Sequence, residues 1–166
     1  MGKIIQRDKG IIIACDVKFA KFDEIVEQTH DIEGVVGYKI PARSGLNGWK
    51  NWVILARNYT NKPLIYDHQK AGTDVPHTAD GFMEDIKESG FDAVIIYPLA
   101  GQDSQKSWTL APIKKGLEVI VGGLMTNNFL RSQRGYISDE AIYTIYKNAI
   151  KSGINNLSFP ANKLEI

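Results

Sequence analysis

Charged and hydroxyl side chains gather at the ends of the apolar runs in this chain. Asp16 closes the first run and Lys39 the second. The third ends in Asp67-His68-Gln69-Lys70, and a short turn then leads to Asp74-Val75-Pro76-His77-Thr78. The fifth run closes with Gly122-Gly123-Leu124-Met125-Thr126. One strand-end Asp or Lys is usually a cap or a surface charge. Lys39, Asp67, Lys70, Asp74 and Asp16 at successive ends are less easily accidental. Such charges emerging from apolar strands are costly to bury unless they pair. Lysines alternating with carboxylates can satisfy one another, and networks of this kind perturb pKa values.

Other chemistries lack their residues. His68 and His77 flank one turn, but no His-x-x-x-His or Cys spacing accompanies them, so hydrogen-bonding or surface roles fit better than metal ligation. His30 falls at a helix end, where the dipole favours it. Cys15, the single cysteine, sits in an apolar strand as inert packing and leaves no disulfide framework, which makes the cytoplasm the expected compartment. Ile12-Ile13-Ala14-Cys15 imitates a lipoprotein cleavage site, yet its apolar run is shorter than the roughly 7–15 residues a signal requires. Asn58-Tyr59-Thr60 is a sequon with no secretory signal before it. The dinucleotide fingerprint, the Walker A loop and the nucleophile elbow are all missing.

The elements that must position these residues alternate along the chain. Six runs rich in β-branched residues cover 11–17, 35–40, 63–69, 93–98, 117–122 and 155–160. Several are apolar without alternation, as parallel strands covered on both faces are. Helical spacing lies between them: Trp49, Trp52, Val53 and Ala56 on one face, and Phe82, Met83 and Ile86 on another. The clearest helix covers 139–152, with Ser138 as N-cap, Asp139 and Glu140 in its first turn and Gly153 as its stop. Its apolar stripe is Ala141, Ile142, Ile145, Tyr146, Ala149 and Ile150. The Trp and Tyr residues at helical spacing are assigned to the core.

Strand and helix alternation means an α/β fold with a parallel sheet. The 166 residues favour a doubly wound sheet of five or six strands, because a (β/α)8 barrel takes roughly 200–250 residues. The strand-end residues favour the barrel. With 20 Lys+Arg against 19 Asp+Glu, the charge of +1 argues against nucleic-acid and membrane-surface partners. The longest apolar run is far too short to span a bilayer.

Residues 67–78 (DHQKAGTDVPHT) resemble the signature of orotidine 5′-phosphate decarboxylase, Asp-x-Lys-x-x-Asp-Ile-Pro-Asn-Thr. The order of motifs around it is similar too: Ala14, Asp16 and Val17 in the first strand, and Gly37-Tyr38-Lys39 in the second. The archaeal-type branch is resembled in Gln69-Lys70-Ala71-Gly72-Thr73-Asp74, Gly122-Gly123-Leu124-Met125-Thr126 and Pro160-Ala161-Asn162-Lys163. The likeness covers residues 11–166. It implies a (β/α)8 barrel that converts orotidine monophosphate to UMP and CO2 with neither metal nor organic cofactor. It also implies a homodimer whose subunits share their active sites. By position the catalytic set is Lys39, Asp67, Lys70 and, from the neighbouring subunit, Asp74 with Thr78 beside it. Asp16 would contact the ribose, and Thr126 the pyrimidine.

Two features depart from the family pattern. Lys70 stands three residues after Asp67 instead of two, and Gln69 takes the usual lysine place. Asp67 and Lys70 then converge only if the strand bulges or has ended by Gln69. The family also holds the substrate phosphate in loops of a seventh and an eighth strand. This sequence supplies five βα units and a sixth strand, so the expectation is a single barrel domain over 1–166 without its last two βα units. Arg131, Gln133 and Arg134, after strand five, would form either a lid or a solvated loop. Related sugar-phosphate barrels, of the hexulose-phosphate synthase or ketogulonate-phosphate decarboxylase type, use Mg²⁺ and carry a Glu near the end of strand two, where this chain has Lys39-Ile40-Pro41. A non-catalytic nucleotide-binding protein is the alternative from another class.

Overall fold

The computed structural model describes residues 4, 9–68, 73–126 and 135–161. Six strands form one parallel sheet in sequential order: β1 (Ile11–Ala14), β2 (Val35–Pro41), β3 (Leu64–Asp67), β4 (Ala93–Ile96), β5 (Glu118–Gly122) and β6 (Asn156–Ser158). The helices between them are α1 (Phe19–Thr29), α2 (Trp49–Arg57), α3 (Ala79–Glu88), α4 (Gln102–Lys114) and α5 (Asp139–Lys151). A doubly wound sheet reverses its strand order midway. This sheet never does, and its strands curl as consecutive units of a (β/α)8 barrel. The open sheet that length favoured is thereby overturned.

Strand alternation divides the core in two. Tyr38, Ile40, Leu64, Tyr66, Val94, Ile96, Val119 and Val121 point outward to the helices and share one cluster with Phe22, Trp52, Met83 and Trp108. Ile65, Ala93, Ile95, Tyr97 and Ile120 point inward and form a second cluster with no helical member. Because side chains alternate along a strand, Lys39 and Asp67 fall on that inner face. β2 and β3 approach closely at Gly37, where a Cβ would stand 3.0 Å from the Pro63 carbonyl oxygen. At the amino end of the sheet Asp92 accepts hydrogen bonds from Arg57 (2.6 Å) and from the Leu64 amide (2.7 Å), bracketing β3 against its neighbours.

Helix α5 starts as its sequence requires, with the Ser138 hydroxyl accepting from the Ala141 amide at 3.1 Å. Its buried stripe is narrower than expected: Ile142, Ile145 and Ala149 are buried, while Ala141 and Ile150 are exposed. One helix on the convex side of a curled sheet meets it along a thin line, so the flanks of a broad apolar stripe stay wet. Tyr136 and Tyr143 are exposed as well and do not belong to the core. Four strands stop earlier than their apolar runs, β1 at Ala14, β3 at Asp67, β4 at Ile96 and β6 at Ser158.

Candidate active site

The carboxyl ends of β1, β2, β3 and β5 carry the charged and hydroxyl residues. Lys39 lies in β2 opposite Ile65 of β3, and Asp67 lies two residues further along the same inner face. The lysine side chain spans that offset, and its Nζ reaches Asp67 Oδ2 at 2.7 Å. The carboxylate is fully buried, and the lysine side chain keeps 19% of its surface in contact with solvent. Burying a carboxylate costs several kcal/mol unless partners compensate it. Asp67 has further interactions beyond this pair, and Asp16 is likewise engaged by neighbouring groups.

Asp16 is exposed, two residues beyond the end of β1. Thr126 is exposed beyond β5. Asp74 is exposed at the rim, with one carboxylate oxygen accepting from the Val75 amide at 2.7 Å. Thr78 closes the same turn by donating to the Val75 carbonyl at 2.8 Å. Lys70 and Gln69 lie outside the described residues, as do Arg131, Gln133, Arg134, Asn162 and Lys163. Since β3 ends at Asp67, the condition that the strand finish before Gln69 is met.

Under this rim lies an aromatic box the sequence did not reveal. His68 points outward and stacks on Trp108 at 5.1 Å and 12°. Its Nδ1 meets the Tyr66 hydroxyl at 3.0 Å, and Phe82 packs at 4.8 Å. Burial lowers its pKa to about 4, against a smaller opposing pull from Asp67, so the ring is neutral at physiological pH. Trp108 also donates from Nε1 to the Val75 carbonyl at 3.3 Å, and Thr73 donates to the Tyr97 carbonyl at 3.3 Å. The segment carrying Asp74 is thus tied to α4 and to the end of β4. The alternation Tyr66-Asp67-His68 could have signalled an inward carboxylate between two outward rings. Nothing in the sequence pairs His68 with Trp108, forty residues away.

Burial raises the Cys15 thiol to about 12, with Asp16 adding to the effect, and that keeps the sulfur unreactive. Burial also raises the phenols of Tyr66 and Tyr97. Among the described residues no three His, Cys, Asp or Glu side chains converge where a metal ion could be held, and no helix is long and apolar enough to cross a membrane.

No family model matches the chain, and no curated protein matches it by sequence. Solved structures do match its fold. An orotidine 5′-monophosphate decarboxylase from Methanocaldococcus jannaschii superposes with a TM-score of 0.75 at 21% identity, over 90% of this chain and 69% of that one. An orotidine 5′-phosphate decarboxylase from Pyrococcus horikoshii OT3 gives 0.69 at 17% identity, over 89% and 65%. The enzyme of that name from Lactobacillus acidophilus gives 0.69 at 16%, over 90% and 70%. The chain therefore spans about two thirds of the length of these proteins and shares their fold.

Proposed function

We propose that this protein is a carboxy-lyase that converts orotidine monophosphate to UMP and CO2, as in pyrimidine nucleotide synthesis. The observation that carries this reading is the Lys39–Asp67 ion pair on the inner face of adjacent barrel strands. The fold shared with three orotidine 5′-phosphate decarboxylases and the 67–78 motif support it. Lys39, Asp67 and Lys70 of one subunit act with Asp74 and Thr78 of a second. The exposure of Asp74 at the rim accords with its being lent across a homodimer interface.

In the reaction the bond from the pyrimidine ring to its carboxylate breaks, CO2 departs, and the electron pair stays on the ring carbon. The Lys70 ammonium stabilises that carbanion and then protonates it. Asp67 and Asp74 hold the lysine and crowd the substrate carboxylate, a strain offset by binding elsewhere on the nucleotide. Lys39 compensates the buried charge of Asp67. Asp16 contacts the ribose and Thr126 the pyrimidine. The reading requires no metal or organic cofactor, and it sets the work in the cytoplasm.

The test follows the absorbance change as orotidine monophosphate becomes UMP. Wild type should turn over and Lys70→Ala should lose at least about 10³-fold in kcat, since charge stabilisation at a reacting centre is commonly the largest catalytic term. Equal rates in the two proteins would overturn the assignment. EDTA-sensitive turnover of a sugar phosphate, with none of orotidine monophosphate, would favour the Mg²⁺-dependent sugar-phosphate enzymes, and UMP binding without turnover a non-catalytic nucleotide-binding protein.

A further inference from the structure

The turn after β5 is gripped from both sides by tyrosines. Gly122 faces the barrel interior, where a Cβ would stand 2.2 Å from Tyr97 Cζ. Tyr97 is buried just past β4 and donates its hydroxyl to the Leu124 carbonyl at 3.2 Å. Gly123 faces the other way, where a Cβ would meet the ring of Tyr146 at 3.2 Å. The Tyr146 oxygen accepts from the Gly123 and Leu124 amides, each at 3.0 Å, and donates to the Ser158 carbonyl at 2.8 Å. One hydroxyl offers one proton and two lone pairs, so this phenol is used to capacity. Its ring stacks on Phe159 at 4.4 Å.

The arrangement sits where backbone pairing runs out. The β5–β6 ladder ends at Gly122 and Ser158, and the next two amides of the β5 exit find a helical side chain instead of a strand. Buried amides need such a partner. A side chain that supplies it also fixes where the chain goes next, and two residues later it reaches Thr126. The consecutive glycines follow from the same geometry, since each faces one ring.

We propose that Tyr146 is a positioning residue: with Tyr97 it clamps the Gly122-Gly123-Leu124 turn and so holds Thr126 at the carboxyl rim for contact with the base of a nucleotide. This rests on the nucleotide reading of the site. Tyr146 makes no contact with the ligand and acts through the backbone.

The test compares wild type, Tyr146→Phe, Thr126→Ala and the double variant, using UMP titration calorimetry and amide hydrogen exchange. Losing the shared acceptor should speed exchange at Gly123 and Leu124 and weaken UMP binding, each roughly tenfold. The double variant should bind about as weakly as Thr126→Ala alone, because a residue acting through Thr126 has nothing left to position. Unchanged exchange, unchanged affinity, or losses that multiply in the double variant would each overturn the clamp. Wild type that fails to bind UMP overturns the nucleotide reading instead, and amide exchange then still decides whether the clamp exists. Should Tyr146→Phe not fold, Gly123→Ala displaces the ring while keeping its hydroxyl and must loosen the same two amides and weaken UMP binding.

Discussion

Two neighbouring residues meet opposite requirements on the two faces of one strand end. Asp67 points inward and sets its charge against Lys39, whereas His68 points outward and stays neutral between Tyr66 and Trp108. The histidine makes stability depend on pH with a definite sign. Its folded pKa, about 4, lies below the ordinary value near 6.5, so between those values the unfolded chain binds the extra proton. The contribution is present in full above pH 6.5 and is lost as pH falls toward 4. By urea denaturation, wild type should lose roughly 2 kcal/mol more between pH 7 and 4.5 than His68→Phe, which keeps an aromatic ring and has no proton to take. Parallel losses in both proteins would show that His68 is not the responsible group.

At the level of elements, glycines divide by what surrounds them. Gly122 lies against the Tyr97 ring, and neither ring nor strand can retreat from a core at crystal-like density. Gly122→Ala should cost about 2–3 kcal/mol, as overpacking does. Gly81, exposed in α3, has no atom within 4 Å of the place a Cβ would take. There alanine removes only the freedom of the unfolded chain and the helix penalty of glycine, so Gly81→Ala should stabilise by about 0.5 kcal/mol. Thermal melts of the two variants should move in opposite directions, and a shared direction would refute the account of the β5 turn. The same packing logic explains why the Asp74 segment keeps its place: Trp108 and Thr73 hold it by hydrogen bonds to backbone.

For the molecule as a whole, apolar side chains left at the rim bear on assembly. Leu46 is 90% exposed and Val75 45%, and they follow the ends of adjacent strands β2 and β3. Side chains of this kind would be covered if a second protein surface packed against the rim. Under the proposed shared site, Asp74 beside Val75 would bring this rim against a second copy of the chain. Leu46→Glu would put a charge into that contact. Sedimentation should then report the monomer mass where wild type reports a dimer, and turnover should fall with it because Asp74 is no longer delivered. A dimer that survives the substitution with full activity would rule out this face.

Much of the fold was legible because its signals are local. Unalternated β-branched runs, the Ser138 cap and the 3.6-residue spacing of Trp52, Val53 and Ala56 each depend on neighbours within a turn or a strand. The strand-end positions of Asp16, Lys39, Asp67 and Thr126 followed from the same runs, and the 67–78 motif joined them into one candidate site. Strand order did not follow, since sequential and doubly wound sheets share one alternation of elements and differ only in which edges pair. Nor did the exact strand ends, which are set by where ladder bonds stop. The Lys39–Asp67 contact needed the β2–β3 register, the His68 box needed α4 laid against β3, and the tyrosine grip on Gly122 and Gly123 needed α5 and β4 on opposite sides of one turn. The amino-acid sequence by itself determined the elements and their charged ends. Tertiary structure alone decided which side chains meet, because those meetings join residues distant in the chain and no local propensity encodes them.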